Sequence, residues 1–222
     1  AGGYRTAEGR SVRRGVFYRS ASMANLTPQG MARLQALRIG SIIDLRSTQE
    51  RRTDTSNWLA ASGQGYWARD YSLDNTGFAA MFGDPSKLTA DSVRGAMAQG
   101  YRGMPKMLAP SYRELFARLI AGKGAVVVNC TAGKDRTGIG TALVLSALGV
   151  PYEAVREDFL LSNRAIAAQF SRSPGASGLD AHSAAAFAAL PQEVTALLAG
   201  VDGPYLVAAF DQIRQDYGSV EG

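Results

Sequence analysis

One thiol and one guanidinium, Cys130 and Arg136, stand six positions apart in the run Cys130-Thr131-Ala132-Gly133-Lys134-Asp135-Arg136-Thr137-Gly138. Around a glycine-bearing turn, that spacing lets both groups meet a single tetrahedral anion. The peptide N–H groups of Thr131, Ala132, Gly133, Lys134, Asp135 and Arg136 would face three phosphate oxygens, reinforced by the positive end of the helix that follows. Arg136 would add a planar fork for two of those oxygens. A helix N-terminus and nearby cations favour the ionised, nucleophilic form of a cysteine so placed. The chemistry implied is in-line attack by Cys130 on phosphorus, expulsion of an alcohol or phenol, and hydrolysis of the phosphocysteine by water. The Thr137 hydroxyl is placed to donate to the sulfur, and Gly133 and Gly138 supply unusual backbone angles and close approach. A cysteine that ends an apolar strand is ordinarily inert, but the joint presence of Gly133, Arg136, Thr137-Gly138, a strand before and a helix after argues for a working site.

A proton must also reach the leaving oxygen. Asp135, inside the loop, is favoured as general acid and then base. Asp44, at the C-terminal end of another apolar strand, is its rival or an orienting partner of Arg136, because ligands of open α/β sheets collect at that edge. Asp84, in Gly83-Asp84-Pro85, is a third candidate.

These residues need elements to hold them. Val12, Val16, Phe17 and Tyr18 read as strand residues near the start of the chain. Thr27-Pro28 is a helix start, Met31, Leu34 and Leu37 recur at helical spacing, and Gly40 marks the stop. Ser41–Leu45 is a short buried strand. Residues 75–108, rich in Gly, Met and Ala, predict an excursion over the site, a lid or a plain surface insertion. Pro110–Ala121 is an amphipathic helix closed by Gly122. It delivers the chain to the β-branched strand Ala125–Asn129, which ends directly at Cys130. Thr137–Leu148 is the helix after the loop. From Pro151 onward the chain reads as helical, with starts near Pro151, Asn163, Asp180, Pro191 and Pro204. Helices feeding strands predict an α/β fold, and 222 residues suit one domain over 1–222.

Composition narrows the function. A formal charge of +5, carried by 20 Arg against 4 Lys, suits an anionic substrate. The basic residues are scattered and not interleaved with aromatics, which argues against nucleic acid as a partner. No apolar run approaches a membrane span. With one cysteine and one histidine, an internal disulfide and a Cys/His zinc site are excluded, and a reducing, cytoplasmic setting is expected. His182 falls in a polar, Ala-rich stretch and reads as a surface residue.

The loop resembles the signature of protein tyrosine phosphatases, cysteine, five residues, then arginine, and specifically the bacterial group whose loop carries Gly-Lys-Asp-Arg-Thr-Gly. The segments GGYRTAEGRSVRRGVFYRS, IIDLRSTQER, DFLLSN and PYLVAAFDQIRQDYGS resemble that group as well, so the likeness runs almost end to end. It implies a phosphatase fold with a central mixed sheet flanked by helices, a helix-rich C-terminal half covering the site, and no cofactor or metal. It implies activity on phosphotyrosine proteins, with phosphoserine, phosphothreonine or phosphoinositides as further substrates. It assigns the nucleophile to Cys130, phosphate binding to Arg136, and supporting roles to Lys134, Asp135 and Asp44. Lys134 is either a contact for highly anionic head groups or a solvated charge on the rim. One departure stands out: the family usually has histidine before the cysteine, and here Asn129 can hydrogen-bond carbonyls behind the loop but never carry charge. The competing reading is a phosphate-recognition module that binds in the same loop without turnover.

Overall fold

The computed structural model describes residues 1–24, 26–55, 65–73, 88–172, 187 and 189–220, the side chains of 169–172 excepted. Four strands, β1 (Phe17–Ser20), β2 (Ile39–Asp44), β3 (Gly65–Ala68) and β4 (Ala125–Asn129), form one sheet in the order β1-β4-β2-β3. Every pairing among them is parallel, in register Phe17 with Val126, Ile43 with Val128, and Ile42 with Tyr66. The sheet is therefore parallel among the described strands, where the resemblance implies a mixed one. The cause lies in the connections, since a helix between successive strands returns the chain to the same edge. The inner strands β2 and β4 are apolar on both faces, with Ile42, Ile43, Val126, Val127 and Val128 all buried.

The helices are α1 (Pro28–Ala36), α2 (Thr48–Thr53), α3 (Ala90–Ala121), α4 (Arg136–Ala147), α5 (Tyr152–Leu160), α6 (Ser162–Arg172), α7 (Gln192–Ala199) and α8 (Gly203–Tyr217). Helix α1 begins as its sequence predicts, with the Thr27 hydroxyl accepting from the Gly30 N–H at 3.1 Å and Pro28 in the first turn. It closes at Leu37, before Gly40. That glycine belongs to β2 and serves close packing, because a Cβ there would meet the Lys123 carbonyl oxygen at 2.1 Å.

Helix α3 corrects the expected excursion. Of residues 75–108, those from Ala90 to Leu108 form the first half of one helix that runs on to Ala121, and 74–87, Asp84 among them, lie outside the described residues. Pro105 and Pro110 both sit inside this helix. An internal proline loses a hydrogen bond and usually breaks a helix, which is why the pattern reads as a start at Pro110. Burial outweighs that here: Val93, Tyr101, Leu108, Tyr112 and Leu115 all join the main core, alongside Leu206 and Phe210 of α8. In the C-terminal half, α5, α7 and α8 start at Pro151, Pro191 and Asp202-Gly203-Pro204, close to the expected positions. The expected start near Asp180, and His182, lie outside the described residues.

Candidate active site

Strands β2 and β4 run side by side and end together, so their C-terminal edge brings Asp44 next to Asn129 and the Cys130 loop beyond them. Cys130 is buried at 1 % exposure, and its Sγ accepts a hydrogen bond from the Gly133 N–H at 3.3 Å. The sulfur therefore faces into the loop. The loop carbonyls turn outward: that of Thr131 accepts from the Ser22 N–H at 3.0 Å, and that of Gly133 from Arg19 Nη2 at 3.0 Å. Among the described residues the N–H groups of Thr131, Ala132, Lys134, Asp135 and Arg136 enter no hydrogen bond, so they remain available to an oxyanion.

Gly133 is required twice over, by a φ of +68° and because a Cβ would lie 2.6 Å from the Ala21 nitrogen. Gly138 serves close approach, since a Cβ would come within 2.9 Å of the Phe159 ring. Arg19 buttresses the loop from β1: besides Gly133 it holds the Asp158 carboxylate at 3.0 Å and the Ser162 hydroxyl at 2.8 Å, and Tyr4 donates to the same Asp158 at 2.6 Å. The segments Tyr4, Tyr18-Arg19-Ser20 and Asp158–Ser162 are thus one scaffold behind the loop.

Arg136 opens α4. Its Nη1 and Nη2 grip the two oxygens of Glu50 at 2.6 and 2.7 Å. Nη1 also donates to the Leu45 carbonyl and to the Tyr71 hydroxyl, each at 3.2 Å. A guanidinium has five N–H donors; Nη2 donates also to Thr131 Oγ1 at 3.4 Å, and Nε has no hydrogen bond among the described residues. Burial opposes the charge on Arg136, but the Glu50 bonds and the nearby Cys130 outweigh it and raise the guanidinium pKa. Burial likewise raises Glu50, yet the Arg136 fork, the Thr131 hydroxyl and the Ser47 N–H bring its carboxyl down to about 2.

Glu50 is a site residue that the loop motif does not announce. Its position follows from a capping box: Ser47 caps α2 by accepting from the Glu50 N–H, and the Glu50 carboxylate accepts from the Ser47 N–H at 2.7 Å. The signal is present as Ser47-Thr48-Gln49-Glu50 directly after the strand that ends at Asp44, a serine with glutamate three residues later.

Asp44 occupies a different role from either one expected of it. It is 2 % exposed and paired with Arg46, whose Nη2 and Nε lie 2.8 and 3.0 Å from its oxygens. It also accepts from Tyr66 at 3.1 Å and Asn129 Nδ2 at 3.2 Å. The orienting partner of Arg136 is Glu50, because Arg46, two residues along, takes up Asp44. Asn129 likewise bonds Asp44 rather than carbonyls behind the loop, and its Oδ1 is buried without a partner among the described residues. The Thr137 hydroxyl is fully buried and makes no bond to the sulfur.

Lys134 fits neither expectation for its side chain. Its ammonium is turned away from the loop interior and donates to the carbonyls of Gly200 at 2.9 Å and Leu198 at 3.3 Å, and to Asp135 Oδ1 at 3.0 Å. It anchors the loop to the α7–α8 connection. Asp135 is the N-cap residue of α4 but makes no capping bond. Its Oδ1 instead accepts from Lys134 and from the Tyr101 hydroxyl, and its side chain keeps 20 % exposure. Among the described residues no group of three or more His, Cys, Asp or Glu is placed to hold a metal ion, and no single helix is long and apolar enough to cross a membrane.

The chain resembles known proteins along its whole length. A family model described as "Tyrosine phosphatase family" matches residues 1–222. A protein of Cupriavidus necator named as a tyrosine-protein phosphatase is 34% identical over 99% of this chain and 77% of its own length. The triple specificity protein phosphatase PtpB of Mycobacterium tuberculosis is 29% identical over 96% of this chain and 85% of its own. The crystal structure of P. aeruginosa TpbA aligns with 90% of this chain and 89% of that one, at 16% identity and a TM-score of 0.38.

Proposed function

The chain belongs to the tyrosine phosphatase family, and from that premise we propose that Cys130 is the nucleophile, Arg136 the phosphate clamp and Asp135 the proton carrier of a two-step hydrolysis. In the first step Cys130 Sγ attacks phosphorus, the bond from phosphorus to the leaving oxygen breaks, and Asp135 gives that oxygen its proton. In the second, water attacks the phosphocysteine, Asp135 takes the water's proton, the S–P bond breaks, and inorganic phosphate leaves with the thiolate restored. The observation that carries this reading is the loop itself: the sulfur turned inward on the Gly133 N–H, with unpaired amides around it. Glu50 supports the clamp by taking the Nη1–Nη2 edge of Arg136, which leaves Nε to face a phosphate.

Asp44 is passed over as proton carrier because both its oxygens are held by Arg46 in a buried pair. Phosphotyrosine is the proposed substrate, in one phosphatase domain, and the lone cysteine suits a reducing compartment such as the cytoplasm. Phosphoserine and phosphothreonine follow as secondary substrates, in line with the name of the mycobacterial relative. A phosphoinositide head group would have to find cations other than Lys134, whose protons are engaged by Gly200, Leu198 and Asp135. The test is hydrolysis of p-nitrophenyl phosphate in EDTA, with vanadate inhibition, by the wild type and Cys130→Ser. Loss of turnover in the variant with phosphate binding retained is expected. Full activity of Cys130→Ser would overturn the mechanism, and a phosphoenzyme burst without steady-state release would point to a recognition module.

A further inference from the structure

Tyr101 lies on α3, remote in sequence from the loop, yet its hydroxyl donates to Asp135 Oδ1. The phenol is entirely buried at 0 % exposure, edge-on to Phe159 with ring centroids 6.1 Å apart and tilted against Tyr205 at 5.1 Å. Rings packed on two sides give the hydroxyl one place to be. Burial first, then the charge and hydrogen bond of Asp135, push the Tyr101 pKa well above 10, so the phenol stays a donor at any working pH.

The geometry at Asp135 departs from local preference in an informative way. An aspartate at a helix N-cap ordinarily accepts from the amide two or three residues on. Asp135 makes no such bond, and two donors from outside the helix, Tyr101 and Lys134, converge on its Oδ1 instead. With Oδ1 engaged twice, Oδ2 has no hydrogen bond among the described residues while the side chain keeps 20 % exposure. One carboxylate oxygen is fixed and the other is presented.

We propose that Tyr101 is a positioning residue for proton transfer: its hydroxyl, with Lys134, pins Oδ1 of Asp135 so that Oδ2 meets the leaving oxygen and then the attacking water. The claim rests on the reading of Asp135 as proton carrier given above. Tyr101 is fully buried and so acts through Asp135.

The experiment uses Tyr101→Phe, which keeps the ring packing and removes only the hydroxyl. Its kcat/KM is compared with wild type across aryl phosphates, from phenyl phosphate, which needs a proton, to 2,4-dinitrophenyl phosphate, which does not. General acid catalysis contributes about 100-fold to 10,000-fold when fully in place, so loss of one of its two restraints should lower the phenyl to dinitrophenyl ratio by about 10-fold. The vanadate inhibition constant should stay at its wild-type value, because the phosphate loop is untouched. Asp135→Asn is run beside it, and the double variant should show no further fall in the ratio beyond Asp135→Asn alone.

Equal losses on every substrate with weakened vanadate binding would make Tyr101 a scaffold residue and overturn the proposal. No change in the ratio would overturn it too. If Asp135→Asn itself leaves the ratio unchanged, the proton-carrier reading fails and the role of Tyr101 falls with it. A steep Asp135→Asn response beside an unchanged Tyr101→Phe ratio removes Tyr101 alone.

Discussion

Replacing Glu50 with glutamine removes the charge that holds Arg136 while keeping the shape of the side chain. The carboxyl is brought from an ordinary 4.5 to about 2, and each pKa unit corresponds to about 1.4 kcal/mol, so its ionised form contributes about 3 kcal/mol to the fold at neutral pH. The side chain is 23% exposed, so little of that is lost to solvent screening. Because the folded pKa is depressed, this stability is fully present above the unfolded value near 4.5 and disappears as pH falls through about 2. Urea unfolding should therefore place Glu50→Gln about 3 kcal/mol below wild type at pH 7, with the gap shrinking to about 1 kcal/mol near pH 2.5. With its clamp loosened, kcat/KM for p-nitrophenyl phosphate should fall by about 10-fold to 100-fold, since a misplaced group near the reaction centre costs up to that much. A variant as stable as wild type at pH 7 with unchanged kcat/KM would refute the assignment of Glu50 as the anchor of Arg136.

Two further substitutions follow from the loop geometry. Gly133→Ala combines a φ of +68° with a Cβ only 2.6 Å from backbone, so it should cost at least about 2 kcal/mol and most of the activity, measured by thermal unfolding and turnover. Lys134→Met removes the link from the loop to the Leu198 and Gly200 carbonyls, and should lower stability by about 1–3 kcal/mol while leaving affinity for vanadate within about twofold, read by inhibition assays.

The parts of this architecture that were legible are those that the sequence states locally. Strand Ala125–Asn129, the turn at Gly133 and the helix after it follow one another without a gap, and Thr27-Pro28 announces α1 by cap chemistry alone. Of helix α3 only the part from Pro110 to Ala121, closed by Gly122, was legible; the part before it was not, because Pro105 and Pro110 contradict a continuous helix locally and only burial of Tyr101, Leu108 and Tyr112 against distant elements overrules them. The same limit explains the carboxylates. Asp44 looked like a partner for Arg136 because it ends a strand beside the loop, but that choice turned on Arg46 folding back onto it, which residue types do not declare. Glu50 was written in a capping box whose second use, reaching Arg136, appears only when α2 is set beside α4. Tyr101 left no mark near the motif at all.

The departure at Asn129 becomes intelligible from the charges around it. Behind the loop, Asp44 is already paired with the buried Arg46 at 2.8 Å, so a cation at position 129 would bury a second positive charge beside that guanidinium. A neutral amide can donate to Asp44 without that penalty, as Asn129 does. In front, Glu50 offsets the charge of Arg136 in the same way. What remains unbalanced and turned inward is the ring of loop amides and the start of α4, whose partial positive charges are fixed by the backbone and independent of side-chain protonation. On the proposed mechanism, anion binding falls to main-chain dipoles first, with Arg136 fixing orientation, and the neutral amide at position 129 serves Asp44 rather than the anion.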